Sequence, residues 1–310
     1  MASSFASVVA GAVLPVVAVA AAGYLLGYLR SPDVGPINTV TVYVLLPALV
    51  FDTLVTSPFG GRTALSLVGA MLLFTFAMLV LGGVTSLLVG EEGSRRSALV
   101  LAAAFPNVGN FGIPVATFAF GETGRSIAVL FVIVQNVLLY SLGVYIVSWA
   151  SGDGGRAALG RVFRLPVGYA VVAAGATLAL GVDLDPNGAF LRTVSMLGDA
   201  SIPLFLLLLG MQLADTDPGG AFVRTAPAVA LKLGVAPFVG AGVAALVLGS
   251  DTAPTFVLLA AAPVAVTPLV LHLEFGGEEE GLSGAAYTST AVFLTVVGSV
   301  PVVAAVLAFV

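Results

Sequence analysis

The sequence contains no cysteine and only one histidine among its 310 residues. Without cysteine, disulfides, thiolate metal sites and cysteine nucleophiles are excluded. Because His272 is the single histidine, a metal motif with two histidines is impossible, and a Ser-His-Asp triad would have to use this residue at the end of an apolar run. The sequence therefore predicts no metal or other cofactor.

Charged residues are also scarce, at 9% of the chain, whereas 59% of the residues are hydrophobic and the mean hydropathy is +1.13. The net charge of −5 argues against nucleic acid as a partner. The few charges form short islands between apolar runs that are long enough to cross a hydrocarbon core, which takes about 20 residues. These features predict an all-α integral membrane protein whose partner is the lipid bilayer.

Ten such apolar runs can be separated, and no charge precedes Arg30. A cleaved signal peptide would place basic residues before its apolar core, so the first run is expected to be a retained span. The polar stretch 191–200 at the start of the seventh run is expected to lie partly in the membrane interface. We predict transmembrane helices at residues 6–29, 36–57, 63–89, 97–121, 126–149, 164–182, 197–214, 225–249, 253–273 and 283–309.

The placement of arginine predicts the orientation of these spans, because cytoplasmic loops carry an excess of basic residues. With the N-terminus outside, the inner loops hold Arg30, Arg95, Arg96, Arg156, Arg161, Arg164 and Arg224. The outer loops then hold Arg62, Arg125 and Arg192. This distribution predicts a multi-pass protein of the cell membrane with both termini outside the cell.

Residues 105–114 read Phe-Pro-Asn-Val-Gly-Asn-Phe-Gly-Ile-Pro in the middle of the fourth span. Pro106 and Pro114 lack a backbone N–H and disfavour helix in the preceding residue, while Gly109 and Gly112 add backbone freedom. The fourth helix should therefore break here. Unpaired backbone groups are costly in hydrocarbon, so such a break persists only where protein buries it or water reaches it. This makes the break a predicted functional site.

A short polar linker at residues 151–163 divides the chain into two halves, 1–150 and 164–310, with five predicted spans in each. Because this number is odd, related halves would be inserted with opposite orientation. The surroundings of Pro106 in the first half are similar to those of Pro263 in the second. The sequence thus predicts an inverted repeat of five plus five helices in which the ninth helix is broken like the fourth.

The pattern Asn-Val-Gly-Asn-Phe-Gly-Ile-Pro resembles the auxin efflux carrier family, and the resemblance extends over essentially the whole chain. The short central linker is closer to the prokaryotic members, which are associated with small carboxylates, than to the plant auxin exporters. The resemblance implies a scaffold domain and a transport domain, with the fourth and ninth helices crossing at their breaks and substrate bound at the crossing. It also implies elevator-like alternating access and a homodimer formed by the scaffold helices. The motifs that carry it lie at residues 107–114, 135–136, 46–49, 198–203 and 262–267.

Two broken helices that meet in mid-membrane would bring half-helix N-termini and C-termini to one place. Such a centre can hold an anion on amide groups or a cation on carbonyl groups. Asn107 and Asn110 offer donors and acceptors there without a buried charge, and they could equally cap the half-helices. The predicted substrate-binding residues are Pro106, Asn107, Gly109, Asn110, Gly112, Pro114, Gln135, Asn136, Pro263, Val266, Thr267 and Pro268.

A few ionisable residues fall within or beside the spans and are candidates for proton or charge coupling. Lys232 is expected to attract an anionic substrate, to pair with an acid such as Asp52 or Asp199, or to snorkel to the headgroups. Asp52 could carry a proton or face water, and Asp199 could carry a proton or cap a helix. His272 and Glu274 are expected at the membrane interface, outside the transport path.

With the resemblance to the auxin efflux carrier family, these features imply a secondary transporter that moves a small organic anion, such as an auxin-like acid or a dicarboxylate. The nearest alternative is a sodium- or proton-coupled symporter or antiporter of the bile-acid symporter type. Such sites usually have acidic residues beside the breaks, and this sequence has none at 98–120 or 252–271. An intramembrane enzyme is disfavoured by the lack of cysteine and of paired acids, and a membrane sensor that does not transport is a further alternative.

Overall fold

A computed structural model describes residues 14–56, 60–150, 166–182, 184–214, 221–275 and 282–309. The helices in these residues are named α1 to α11 in chain order. They span Leu14–Arg30, Val34–Val55, Gly61–Leu88, Gly93–Ala104, Val108–Ala150, Pro166–Ala179, Ala189–Ala214, Phe222–Val247, Ala253–Ala260, Thr267–Phe275 and Gly284–Phe309.

Six of the described helices, α2, α3, α5, α7, α8 and α11, are long and apolar enough to cross a membrane. Helices α1 and α6 are also apolar but shorter. The chain is therefore an all-helical membrane protein over its described residues, as the composition predicted. The count of ten spans and the inverted repeat remain predictions. The linker at 151–163 and the acidic residues 278–280 lie outside the described residues.

The structure corrects two predicted boundaries. Helix α7 begins at Ala189 instead of residue 197, so the polar stretch before the seventh span is helical. Helix α5 joins the end of the predicted fourth span to the fifth, and its path bends at Gly121, where φ is 60° and ψ is −144°. A positive φ of this size is accessible to glycine because it has no Cβ. The turn between these spans is therefore made by one residue.

The helices pack as two groups. The first helix group consists of α1, α2, α6 and α7, which make their main contacts with one another. The second helix group consists of α3, α4, α5, α8, α9, α10 and α11. In the first group, a Cβ at Gly23 or Gly210 would collide with backbone atoms of Leu207 or Ala20 on the facing helix. Small residues thus allow the α1 and α7 backbones to approach closely, as is usual between membrane helices.

The core of the second helix group surrounds the predicted breaks. Every residue of α4 from 97 to 104 is buried. The rings of Phe74, Phe131 and Phe256 lie 5.8 to 6.4 Å apart and join α3, α5 and α9. Because α4 is covered on all sides, the segment that follows its last residue is placed inside the protein instead of against lipid.

Candidate functional site

Two helix interruptions meet in the interior of the second helix group. The chain leaves helix after α4 at 105–107 and after α9 at 261–266. Between them Pro106 and Val264 form an antiparallel bridge. The Asn107 amide donates to the Pro263 carbonyl at 2.7 Å, and the Ala265 amide donates to the Phe105 carbonyl at 2.9 Å. The fourth and ninth predicted spans are therefore broken and cross at their breaks, which we call the crossover.

Neighbouring groups satisfy further backbone amides at the crossover. The Gly112 amide donates to the Asn107 carbonyl at 2.9 Å, and the Val108 amide donates to the Pro106 carbonyl at 2.8 Å. On the second break, the Val264 amide donates to the Thr295 hydroxyl oxygen at 3.0 Å. Prolines at both breaks carry no N–H that would need a partner. The crossover is thus buried and internally bonded, the condition under which irregular backbone persists at membrane depth.

The side chains of Asn107 and Asn110 occupy the start of α5. Asn107 Oδ1 accepts the Asn110 backbone amide at 3.2 Å, so Asn107 caps this half-helix, as the alternative interpretation predicted. Its Nδ2 is buried and has no hydrogen-bond partner among the described residues. Asn110 is half-buried, and a Cβ built at Gly109 would meet no atom within 4 Å. The crossover therefore holds a buried amide donor without an acceptor among the described residues.

Most of the other predicted binding residues lie at the two helix breaks, whereas Gln135 and Asn136 lie more than twenty residues further along α5. Val266 and Thr267 are half-buried where α10 begins, and Pro268 is buried in its first turn. Further along α5, Gln135 is buried with its Oε1 unpaired among the described residues, and Asn136 is half-buried. Gly112 is packed against Leu259 and has no room for a side chain. The remaining predicted members, Pro106, Pro114 and Pro263, are buried in the crossover and at the start of α5.

Replacing Thr295 with valine tests the bond that supports the second break. Valine has nearly the shape of threonine but lacks the hydroxyl oxygen that accepts the hydrogen bond from the Val264 amide. A buried amide without a partner costs about 1–3 kcal/mol. We expect the melting temperature of the purified protein to fall by several degrees. Thr225→Val is the matched control, because buried Thr225 donates only to carbonyls of its own helix. Equal melting temperatures for the two variants would show that the Thr295 bond does not support the break.

Lys232 lies in a π-helical turn of α8 and is completely buried. Its Nζ has no hydrogen-bond partner among the described residues and lies 5.8 Å from the centroid of the Phe74 ring. Two of the expectations are therefore wrong: Lys232 neither pairs with Asp52 or Asp199 nor reaches the headgroups. The reason is that α8 is enclosed by α3, α9 and α11, and that both acids are held elsewhere. The expectation that it attracts an anion stays a prediction. A cation–π contact is a weak substitute for hydration of an ammonium group.

Arg125 forms ion pairs with both Asp52 and Asp199. Its guanidinium donates from Nη2 to Asp52 Oδ2 at 3.0 Å and from Nη1 to Asp199 Oδ1 at 2.6 Å, and the Glu122 carboxylate lies at 3.8 Å. The prediction that Arg125 lies in an outer loop is wrong, since it is buried in α5. Asp199 is also not a helix cap, because it lies well inside α7. These ion pairs join α5 of the second helix group to α2 and α7 of the first.

A cavity of about 510 Å³ adjoins this ion-pair cluster. Asp199 faces it with 58% of its side chain exposed, whereas Asp52 is only 8% exposed. The cavity is lined by Glu122 and Arg125 of α5 and not by the crossover residues at the start of that helix. Its lining residues are Asp52, Thr56, Glu122, Arg125, Pro186, Leu191, Arg192, Ser195, Met196 and Asp199.

His272 is buried in α10 and not exposed at an interface, contrary to the prediction. Its Nε2 lies 3.0 Å from the Ser97 hydroxyl oxygen on α4, and its Nδ1 lies 2.7 Å from the Pro268 carbonyl oxygen. Helices α4 and α11 cover it, which composition alone does not reveal. Glu274 lies two residues further along the same helix.

The site residues that sequence reasoning missed are Arg125, Thr295 and Ser97. A signal for Arg125 existed, because two acids within or beside apolar spans require a counterion and the single lysine cannot serve both. No comparable signal marked Thr295 or Ser97. Hydroxyl residues are frequent in membrane helices and usually bond to their own backbone, as many do here.

Comparison with known proteins assigns the chain to a family. A family model described as "Membrane transport protein" matches residues 8–154 and 159–306. The chain belongs to this membrane transport family, and the resemblance to auxin efflux carriers predicted from the sequence is confirmed. Proteins of this family are membrane transporters, and neither the enzyme alternative nor the bile-acid type of symporter is favoured.

Two relatives match the chain along nearly its whole length. An "Uncharacterized transporter" of Methanothermobacter thermautotrophicus is 27% identical over 291 residues, which are 90% of this chain and 92% of the relative. A "Putative malonate transporter" of Rhizobium meliloti is 25% identical over 294 residues, 91% of each chain. Both names agree with a multi-pass membrane protein that transports a small molecule.

Proposed function

We propose that the protein is a secondary transporter that carries a small organic anion, an auxin-like acid or a dicarboxylate, across the cell membrane. The anion would bind at the crossover. The observation that carries this proposal is the buried Asn107 Nδ2, an amide donor without a partner at the crossing of two interrupted helices. A buried donor that lacks an acceptor costs free energy, so it favours a ligand that supplies one. A carboxylate oxygen is such an acceptor.

The charge near the crossover also favours an anion. Lys232 is a buried cation of the second helix group whose Nζ has no hydrogen-bond partner among the described residues, and the Phe74 ring beside it packs against Phe256 of the broken α9. The sequences flanking the two breaks contain no acid at 98–120 or 252–271. An ammonium without a carboxylate partner lowers the free energy of a substrate anion that approaches it in a medium of low dielectric constant. We therefore propose that Lys232 attracts the substrate.

The division into two helix groups supports an elevator-type mechanism. The complete crossover belongs to the second helix group, so a displacement of this group relative to the first would carry the site without dismantling it. In this proposal the first helix group is the scaffold and also forms a homodimer. Asp52 and Asp199 contribute by holding Arg125 across the boundary between the groups. Export of an anion to the outside would be favoured by the membrane potential, at about 2.3 kcal/mol per charge per 100 mV.

A flux measurement tests the proposed function. The purified protein would be reconstituted in liposomes, and uptake of radiolabelled malonate, malate and indole-3-acetate would be followed under an imposed membrane potential. We expect saturable uptake of at least one of these carboxylates that depends on the potential and is absent from protein-free liposomes. Malonate is included because the rhizobial relative is named for it. Absence of uptake of all three acids, with the protein folded and correctly inserted, would refute the proposal.

Substitutions at the crossover asparagines test the binding site. Asn110→Ala removes a half-buried amide, and Asn107→Ala also removes the cap of α5. Because a hydrogen bond to a charged ligand contributes about 1.5–3 kcal/mol, each change should lower the uptake rate roughly tenfold or more at low substrate concentration. Uptake would be compared at equal amounts of reconstituted protein.

Asn107→Asp separates binding from capping. The aspartate keeps an oxygen that accepts the Asn110 amide but replaces the Nδ2 donor with negative charge, which repels a carboxylate. We expect no measurable uptake in a protein that still folds because the cap is kept, with a melting temperature lowered by the buried charge. Wild-type uptake by the Asn107→Ala and Asn110→Ala variants would remove the crossover from the mechanism.

A further inference from the structure

The single histidine of the chain connects the two broken helices on one side of the crossover. His272 lies on α10, which follows the second break, and its Nε2 contacts Ser97 on α4, which precedes the first break. Its helix packs against α4, α11 and the C-terminal part of α5. The side chain is 4% exposed, and Gly284 of α11 lies so close that an added Cβ would meet the imidazole Cδ2. The imidazole is therefore enclosed by three helices.

The hydrogen bonds of this pair can be completed with either one or two protons on the ring. Because the Pro268 carbonyl only accepts, the Nδ1 atom 2.7 Å away carries a hydrogen in both states. In the neutral ring, Nε2 accepts the Ser97 hydroxyl hydrogen at 3.0 Å. When Nε2 is protonated, it donates to the Ser97 oxygen, and the hydroxyl turns to donate to the Ser94 carbonyl at 2.8 Å. Rotation of one hydroxyl hydrogen thus accommodates the second proton.

Ser97 also provides a path for that proton. It lines a cavity of about 320 Å³ at the start of α4, next to exposed Glu92 and half-buried Arg96. A hydroxyl between a cavity and an imidazole can pass a proton from water to Nε2, because it donates and accepts at the same oxygen. The lining residues of this cavity are Glu92, Gly93, Arg96, Ser97, Val100, Ile146, Trp149 and Ala150.

Several charged groups lie on the helices that pack against α10 or directly before α4. Glu91 is buried and is held by Arg95 at 2.9 Å and by Arg224 at 3.5 Å. A charge on the imidazole would interact with these groups in a medium of low dielectric constant, so it would change how α10 packs against α4. The titratable or charged side chains on the packed helices, or directly before α4, are Glu91, Glu92, Arg95, Arg96, Tyr140, Tyr145 and Tyr287.

We propose that the Ser97–His272 pair is a proton-binding site that ties α4 to α10, so that proton binding there is linked to substrate binding at the crossover. The link rests on the proposed function, because it requires a substrate at the crossover. If the two helices have different arrangements in the free and loaded protein, proton affinity and substrate affinity change each other by the same factor. Transport is then regulated by pH through one residue.

The experiment uses the fact that the chain contains one histidine. The full-length protein would be purified with an affinity tag free of histidine, labelled with ¹³C-histidine, and followed by NMR from pH 4.5 to 9. All imidazole signals then come from His272. We expect one reversible titration of the imidazole within this range. With saturating malonate, its midpoint should shift by at least about 0.3 pH unit, which is a twofold change in proton affinity. A ring that does not titrate, or a midpoint insensitive to every carboxylate that the protein transports, would overturn the proposal.

Two variants distinguish the pair from its surroundings. Ser97→Ala removes the hydroxyl that contacts Nε2, so the titration midpoint should move by at least about 0.3 pH unit. Ser299→Ala is the control, because this buried serine donates to the Val296 carbonyl of its own helix. A Ser97→Ala midpoint equal to that of the control would refute the role of the pair.

Transport provides the second readout. The pH dependence of carboxylate uptake should follow the NMR midpoint in the wild type and be lost in His272→Gln, while Ser299→Ala keeps it. A His272→Gln variant with the wild-type pH profile would overturn the proposal. Failure of the proposed function is recognised separately, because the titration and its response to Ser97→Ala are measurable even if no carboxylate is transported.

Discussion

Lys232→Met is expected to make the protein more stable and almost inactive. The substitution removes a fully buried ammonium that has no hydrogen-bond partner among the described residues and replaces it with an uncharged side chain of similar length. Buried charge without a partner is costly, and its replacement by hydrophobic groups is stabilising by about 1–4 kcal/mol in measured cases of buried charge. We expect the melting temperature to rise by roughly 5 °C, since each kcal/mol shifts it by about 2–4 °C in a chain of comparable size.

The transport activity of Lys232→Met should fall although its stability rises. In the proposed mechanism the substrate carboxylate approaches the Lys232 ammonium, and loss of one member of a buried charge pair costs about 2–5 kcal/mol. Uptake at low substrate concentration should therefore fall roughly a hundredfold or more. The control is Leu231→Met in the same π-helical turn, which changes shape slightly but leaves the charge in place. A Lys232→Met variant that melts earlier than wild type, or transports normally, would contradict the assignment.

The second large effect is expected for Arg125→Ala. This change leaves Asp52, which is 8% exposed, without its counterion, and a buried charge that loses its partner costs about 3–5 kcal/mol. The melting temperature should fall by roughly 10 °C. Asp199→Asn should have a much smaller effect, because its side chain is 58% exposed and such ion pairs contribute about 0–1 kcal/mol.

The double variant Arg125→Ala/Asp52→Asn identifies the cause. If the uncompensated carboxylate is responsible, removing its charge should restore much of the lost stability, although Arg125→Ala alone and the double variant leave the same space in the protein. The melting temperatures of Arg125→Ala, Asp52→Asn and the double variant, measured in one detergent, provide the comparison. If the double variant is no more stable than Arg125→Ala, packing and not charge explains the loss.

The helix breaks were predictable because their cause is local. Pro106 and Pro263 cannot donate to a helix, and they lie within apolar runs of membrane length. A break in such a run must be buried by something, so the sequence also indicated that protein would surround it. Asn107 was predictable for the same reason, as a polar side chain directly beside the break that could cap the second half-helix or hold a ligand.

The ionisable residues were predicted less well because their environment depends on distant segments. Arg125 follows Gly-Glu-Thr-Gly, which reads as a loop, and its burial depends on acids 73 and 74 residues away in the chain. Lys232 was expected to pair with those acids, but they were already bound to Arg125. His272 stands at the end of an apolar run, and only the packing of α4 and α11 around α10 shows that it is enclosed.

The irregular backbone of the crossover is held in place by hydrogen bonds between the two helix breaks. An interrupted helix has lost part of its own backbone hydrogen bonding. Here two backbone hydrogen bonds join the two interruptions to each other, and a third bond joins them to Thr295 of α11. These three hydrogen bonds oppose separation of the two breaks. Gly121, in contrast, turns the chain where no neighbouring atom lies within 4 Å of the space for a side chain.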